Sequence, residues 1–494
     1  MTTIDHRRMY GFGRRRRTVK ADWFAVGFGL FVTAMLVNAV VDSWRGFTYY
    51  PLELLLCIFV GGLSIAGLLM SIARQASVNF VSFAFCLLFF AITPIVQLGA
   101  DADPIFLVDR WALWSAVSSL LFVVVGLYVT HRMRAPDPQE AQPSRLRPKP
   151  TSLNYLLVFM LSAGVALVTI AIFRGDLFTN RDEFGSTFAS MFPDSSLQMV
   201  GRILMFFGPF FGAIVGLRAA IANGERFWTA MFLFALLLSG VVNNPIINPR
   251  YQLAGLVFFA IDYLSNGKRT KLLAIVLVVG VTLAPLFQVF RYAFTDAQDA
   301  APFGATTNAI NQPFLSMDYD AYQLLCYTML TVDRDGIAWG SNLLGSVLFF
   351  VPRSLWPSKP EQTSWIIYDT ISHSRNPGTI NLSTPLTAEG YFAFGWAGVI
   401  GITIFYWWII SRITIKGRRD PESWAFLWRC CLASLALILL RGTLIVAAGA
   451  VVGSFVSSAM SVYLVRFGRW RRSRQYWGFD PSTFAVKLRT GSKL

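Results

Sequence analysis

The sequence predicts an all-α polytopic membrane protein of about twelve transmembrane helices. Three observations carry that prediction. The 494 residues are 55% hydrophobic and only 14% charged, with mean hydropathy +0.52. Apolar runs of bilayer-crossing length recur from residue 23 to residue 465. Lys and Arg gather in every second loop between those runs, as the positive-inside bias requires.

A helix needs about 20 mostly apolar residues to cross about 30 Å of hydrocarbon. That requirement places spans at 23–41, 52–73, 78–99, 111–130, 153–173, 199–221, 227–242, 251–264, 271–289, 391–411, 424–440 and 444–465. The seventh and eighth are short and separated by NNPIINPR. The last two are separated only by a break near Arg441 and Gly442. No small-residue cleavage site follows the first run, so it reads as a retained span and not as a removed leader.

Orientation follows from the charges. Arg7, Arg8, Arg14–Arg17 and Lys20 precede the first span. Arg132, Arg134, Arg145, Arg147 and Lys149 fall on the same side, as do Arg218, Arg226, Lys268, Arg269 and Lys271. Arg412, Lys416, Arg418, Arg419 and the tail arginines from Arg466 complete the set, which places both termini in the cytoplasm. The chain therefore divides into a basic cytoplasmic N-terminus (1–22), nine spans (23–289), a large outer-face loop (290–390), three spans (391–465) and a basic tail (466–494). Residues 134–150 read as a Pro-rich linker. No internal repeat is evident, which argues against a transporter built from two related halves. The net charge of +16 lies in loops and tails flanking spans, so it speaks for membrane topology and against nucleic-acid binding. Five cysteines, four of them inside apolar runs, supply no disulfide framework.

The chemistry is expected on the outer face. Arg174, Arg250, Arg353 and Arg441 stand at or near span ends on the side where positive charge is avoided. A planar guanidinium offers paired donors that match phosphate oxygens and stays charged at neutral pH. Arg250 follows Pro245 and Pro249 and opens the eighth span, where helix N-terminal amides also favour anions. In PRSLWPSKP three prolines stiffen the backbone that presents Arg353 and Lys359. In TPLTAEGYFAFGWAG, Thr384 or Thr387 could cap the tenth span and Glu389 falls near its first turn, as a capping carboxylate or as a general base. His373 is the outer-face histidine and a second candidate base. The run 343–356 reads as an amphipathic helix on the membrane surface. Asp101/Asp103, Asp318/Asp320 and Asp333/Asp335 are short acidic pairs that could hold a hard cation, but the arginines supply a metal-free alternative, and no metal or other cofactor is expected.

Two patches, FVPRSLWPSKP and STPLTAEGYFAFGWAGV, together with NPRYQLAG, resemble the Wzy-type O-antigen and exopolysaccharide repeat-unit polymerases. Ala393 stands where that family often has Asn. The resemblance implies a GT-C-like fold in a bacterial inner membrane, with the large loop in the periplasm. It implies glycosyl transfer between two undecaprenyl-diphosphate-linked glycans, donor and acceptor, with polyprenyl diphosphate leaving. Arg250, Arg353 and Arg441 would then hold diphosphate, helped by Lys359 and Arg174, and Glu389 or His373 would serve the acceptor hydroxyl. Membrane lipid and a polysaccharide co-polymerase that sets chain length are the implied partners. An O-antigen ligase-like transferase and a lipid-linked oligosaccharide flippase are the competing readings.

Overall fold

The computed structural model describes residues 22–99, 109–133, 149–179, 181–192, 195–248, 250–283, 310–315, 319–372 and 382–476. Among these residues the chain is all helical, without a strand. The helices that frame the site are α1 (Trp23–Asp42), α2 (Pro51–Ala73), α3 (Ser77–Gly99), α4 (Asp109–Arg132), α5 (Ser152–Phe178), α6 (Val200–Asn223), α7 (Arg226–Val242), α8 (Arg250–Leu264) and α9 (Thr270–Thr282). They continue with α10 (Ala321–Asp335), α11 (Ser341–Val347), α12 (Thr363–Ser372), α13 (Leu386–Arg419), α14 (Trp424–Arg441) and α15 (Leu444–Tyr476).

Nine of the described helices are long and apolar enough to cross a bilayer: α1 to α6 and α13 to α15. The other three apolar segments form shorter helices, α7, α8 and α9, of 17, 15 and 13 residues. At about 1.5 Å per residue even the longest of them reaches only about 25 Å. The chain is thus a polytopic helical membrane protein by length and composition of its helices.

Helix α3 is the hub. It is 94% buried within the bundle, walled by α2, α4, α13 and α14. Its sequence is apolar nearly all round, and its polar Asn79, Ser82 and Gln97 are hydrogen-bonded inside the bundle, which suits a helix with no outward face. A second apolar cluster joins α5 to α8 with α14 and α15. Helix α14 belongs to both clusters and ties the two halves together.

The described part of the segment expected as a large loop holds three helices, α10, α11 and α12, with turns between them. Helix α10 is buried against α4 and α13, with Tyr322, Leu325, Cys326 and Met329 recurring at helical spacing on its inner face. The amphipathic helix expected over 343–356 is not formed. Helix α11 stops at Val347, and the chain turns before Pro352, which has no N–H to continue it. The helix that carries the tenth span begins at Leu386 and not at 391, which brings Glu389 inside its first turn.

Helix α13 is broken. Phe394 (φ −146°, ψ 24°) and Gly395 (φ 60°, ψ −141°) leave the helical region, and Gly395 occupies backbone space that only glycine visits readily. The break frees the carbonyls of Phe392 and Ala393. They accept instead from Ala338 N–H at 2.9 Å and Gly340 N–H at 3.2 Å, on the segment leading into α11. The two arms fold so closely that Gly390 and Gly398 meet backbone to backbone, and a Cβ at either would collide with the other. Glu389 thus sits on a short arm that is set apart from the membrane-length arm that follows it.

Candidate functional site

Glu389 is fully buried and both of its carboxylate oxygens are engaged. Oε1 accepts from the Leu444 amide at 2.9 Å, in the first turn of α15. Oε2 accepts from Asn342 Nδ2 at 2.8 Å, on α11, and from the Thr363 hydroxyl at 2.7 Å, at the start of α12. Asn342 also donates to the Glu389 carbonyl at 3.1 Å. One side chain therefore fastens four elements, and a helix N-terminus is one of the donors, where a carboxylate is favoured. Thr384 and Thr387 do not cap α13, whose N-cap is Pro385 without a side-chain bond. Both hydroxyls are buried at this corner and have no partner among the described residues, and the same holds for Asn342 Oδ1.

Arg441 ends α14 three residues before Leu444, so the Glu389 knot fixes its position. Its guanidinium lies 3.3 Å from the Asp320 carboxylate, and the arginine side chain is only 14% exposed. Asp320 immediately precedes α10 and also accepts from the Ser383 hydroxyl and from Ser383 N–H at 3.2 Å. Ser383 lies six residues ahead of Glu389 on the non-helical lead into α13. Two buried acids and one arginine thus share a corner built from α10, α11, α12, α13, α14 and α15.

PRSLWPSKP is the connection between α11 and α12, the two elements that grip Oε2 of Glu389. Lys359 is buried, and its ammonium donates to the carbonyls of Phe349 at 2.7 Å and Val351 at 2.9 Å. Arg353 returns a bond to the Lys359 carbonyl at 2.9 Å. Both cations that the sequence marked as diphosphate ligands therefore hold the shape of their own loop.

Arg250 opens α8, and its side chain lies outside the described residues. Its backbone can still be placed. Helices α8 and α14 run antiparallel, with Gly255 against the Ser434 carbonyl and Asp262 against Arg429. Continuing that register one more turn brings Arg250 level with the end of α14, where Arg441 stands. The asparagines ahead of it are engaged with backbone. Asn243 donates to Phe206 O, and Asn244 to Leu177 O, both at 2.7 Å, while Asn244 Oδ1 accepts from Ile246 and Ile247 N–H.

Arg174 is exposed at the end of the regular part of α5, in a positive-φ conformation (38°), and its Nε donates to Ala171 O at 3.3 Å. Its turn is tied to the loop before α8 through Leu177 and Asn244, and no described contact joins it to Glu389 or Arg441. His373 lies outside the described residues.

The acidic pairs resolve differently. Asp333 pairs with Arg110 at 3.2 Å, and Asp335 with Arg334 at 2.6 Å, which holds the Asp335 carboxyl below its ordinary range. Asp320 pairs with Arg441, and Asp318, Asp101 and Asp103 lie outside the described residues. Among the described residues no three His, Cys, Asp or Glu side chains come together as a metal-ligand group. The five cysteines are all buried, and none of them forms a disulfide among the described residues. Sequence reasoning missed Asn342, Thr363 and Ser383 entirely and saw Asp320 only as half of an acidic pair.

The fold and this corner define a polytopic helical membrane protein with a knotted polar centre at one end of its bundle. No known family, curated protein or solved structure matches the chain.

Proposed function

We propose that the chain is a membrane-embedded glycosyltransferase that joins lipid-diphosphate-linked oligosaccharide repeat units, as its resemblance to the Wzy-type polymerases implies. The observation that carries the reading is the gathering of Arg441, Asp320 and Glu389 at one corner, beside the N-terminal level of α8 where Arg250 begins. In this reading the corner faces the periplasm, the twelve apolar helices form a GT-C-like membrane domain, and both termini are cytoplasmic.

The reaction forms a bond between an acceptor hydroxyl oxygen and the donor's anomeric carbon. The anomeric carbon–oxygen bond to the diphosphate breaks, and polyprenyl diphosphate leaves with the electron pair. Arg441 turns from Asp320 to the diphosphate and neutralises its growing charge. The hydroxyl proton passes to a carboxylate. Asp320 gives up the Arg441 bond in that turn while keeping those from Ser383, whereas Glu389 keeps all three of its hydrogen bonds, so Asp320 suits the role better. Glu389 is then a positioning residue that fixes the turn carrying Arg441.

Replacing Arg441 by Lys keeps the charge but removes the planar fork. Lipid-linked glycans from cells carrying R441K as their sole copy should run as single repeat units and short chains on a gel, with the protein retained in the membrane. Normal long chains in R441K and R441A would refute the diphosphate role. Full-length polymer stranded on its lipid carrier would point to a ligase instead.

A further inference from the structure

Helix α11 is polar on its buried side and apolar on its exposed side. Asn342, Gly345 and Ser346 face inward, with Asn342 bonded to Glu389 and Gly345 packed on Pro360. Leu344 and Val347, neighbours one turn apart, face outward. The apolar surface runs on past the helix through Phe350 and Leu355, and exposed Trp339 precedes it. Leu344, Val347, Phe350 and Leu355 are 53–79% exposed, no less than Ile404 and Phe405 on the membrane-length arm of α13. A helix standing in water carries the opposite pattern.

The level of this surface along the bundle follows from α13. Ala338 and Gly340, on the lead into α11, donate to the carbonyls of Phe392 and Ala393 at the break. From Gly395 the long arm runs uncharged to Arg412, about 25 Å of helix and close to the thickness of bilayer hydrocarbon. The break therefore lies at the edge of the apolar layer, with Trp339 and the start of α11 beside it. Trp396 meets Trp114 and Tyr391 edge-on there, with ring centroids 5.7 and 5.8 Å apart. Trp and Tyr gather at such edges. Helix α11 also packs on α15, whose first turn shares Glu389 with it. The stretch between Asp335 and Glu361 holds no acidic residue, and its two cations, Arg353 and Lys359, bond carbonyls of their own turn. Such bonds satisfy carbonyls that non-helical backbone would leave bare against lipid.

We propose that α11 and the turn after it, residues 339–355, dock into the bilayer leaflet at the Glu389 end of the bundle through Trp339, Leu344, Val347, Phe350 and Leu355. The occupant of this face is phospholipid. Continuity with the spans singles it out: Phe394, exposed on α13, lies against Gly340 and joins the α11 surface to the apolar side of the long arm. The lack of acidic residues suits contact with anionic headgroups. The polar side of α11 then closes the Glu389 corner while its apolar side meets acyl chains, so one short helix separates that corner from lipid. This inference rests on the arrangement of α11 and α13 and does not depend on the transferase reading.

The test uses full-length protein in nanodiscs of phosphatidylcholine and phosphatidylglycerol, with a nitroxide attached to Val347→Cys and, separately, to Leu355→Cys. The native cysteines are buried, so the parent protein treated alike measures background labelling. Collision of the label with oxygen, which concentrates in hydrocarbon, is compared with collision with a water-soluble nickel chelate. Lipids labelled at known depths calibrate the ratio, and Ile404→Cys on α13 is the lipid-facing reference. Where either variant fails to fold, Leu344→Cys and Phe350→Cys read the same surface. Oxygen should dominate at both sites, at a depth of about 5–10 Å into the boundary between headgroups and acyl chains and shallower than Ile404. Dominance of the nickel chelate at either site places the surface in water and overturns the proposal. Exclusion of both reagents at either site means that protein covers it, a second copy of the chain for example, and overturns the proposal equally.

Discussion

The sharpest prediction concerns Glu389, because its two substitutions separate a knot from a base. The carboxylate accepts from Leu444 N–H, Asn342 Nδ2 and Thr363 Oγ1 at 2.7–2.9 Å. Hydrogen bonds to a charged group contribute about 1.5–3 kcal/mol each, so three give roughly 4–9 kcal/mol gross. Burying the carboxylate offsets several kcal/mol of that. Glu389→Ala strands three donors around a cavity and should cost about 3–5 kcal/mol. Glu389→Gln should be far milder. Its oxygen can keep the fixed Leu444 amide, its NH2 can donate to a rotated Thr363 hydroxyl, and Asn342 can turn over to present the Oδ1 that now has no partner. The turned Asn342 gives up its bond to the Glu389 carbonyl, so the net loss is about 1–2 kcal/mol. Thermal and denaturant unfolding of purified protein measures both, and a gel of lipid-linked glycans measures the consequence. The Gln variant should fold and make shortened polymer, whereas the Ala variant should lose both. Equal destabilisation by Gln and Ala, or none by Ala, would refute the knot. A Gln variant as stable as the parent but without polymer would restore Glu389 as the proton acceptor.

Two further substitutions test the frame around that corner. Gly395→Ala meets nothing nearer than Ile337 at 3.7 Å, so its cost is conformational, about 1–3 kcal/mol for a side chain at φ 60° and ψ −141°. Thermal unfolding should register it together with shortened glycan, and an unchanged midpoint would mean that the break in α13 relaxes freely. Lys359→Met keeps the stem and removes the ammonium from two buried carbonyls, so limited proteolysis should cut faster between 348 and 362 while Lys359→Arg restores partial protection. Identical cleavage of Lys359→Met and parent would show that the loop does not rely on that staple.

Nine of the twelve expected spans were legible because bilayer thickness sets a length that an apolar run either meets or does not. The doubtful cases in sequence were 227–242 and 251–264, whose helices are short, and the last pair, which forms two full-length helices; 271–289 gave no such warning, and its described helix covers only Thr270–Thr282. Helix α10 was missed: Tyr322, Leu325, Cys326 and Met329 recur at spacings of three and four, but its polar flanks made the segment look like loop. The break in α13 left a trace in Gly390, Gly395 and Gly398, whereas its stabilising donors, Ala338 and Gly340, act through backbone N–H groups that any residue but proline carries. The partners of Glu389 could not be read at all. Asn342, Thr363 and Leu444 lie 47, 26 and 55 residues away, and ordinary polar residues in loops give no sign of which acid they will meet. The cations were legible as residues but not as roles, since Lys359 and Arg353 looked like ligands and proved to brace their own turn.

Helix α14 bears on the choice between an enzyme and a transporter. Its buried Arg429 and half-buried Arg441 pair with aspartates from different parts of the chain, Asp262 and Asp320. Twelve residues separate them, about 18 Å along the axis. The stretch between is Cys430 to Leu440, with Ser434 as its one hydroxyl and no charge. A path for a charged lipid-linked sugar through the bundle would need polar groups or an unwound helix at mid-depth. On α14, which borders both apolar clusters, the polar chemistry is divided between two ends and absent from the middle. That division favours reaction at one face over transport between the two ends. The decisive measurement is a flipping assay with a fluorescent lipid-diphosphate sugar in proteoliposomes, where protein-dependent translocation would overturn the enzymatic reading.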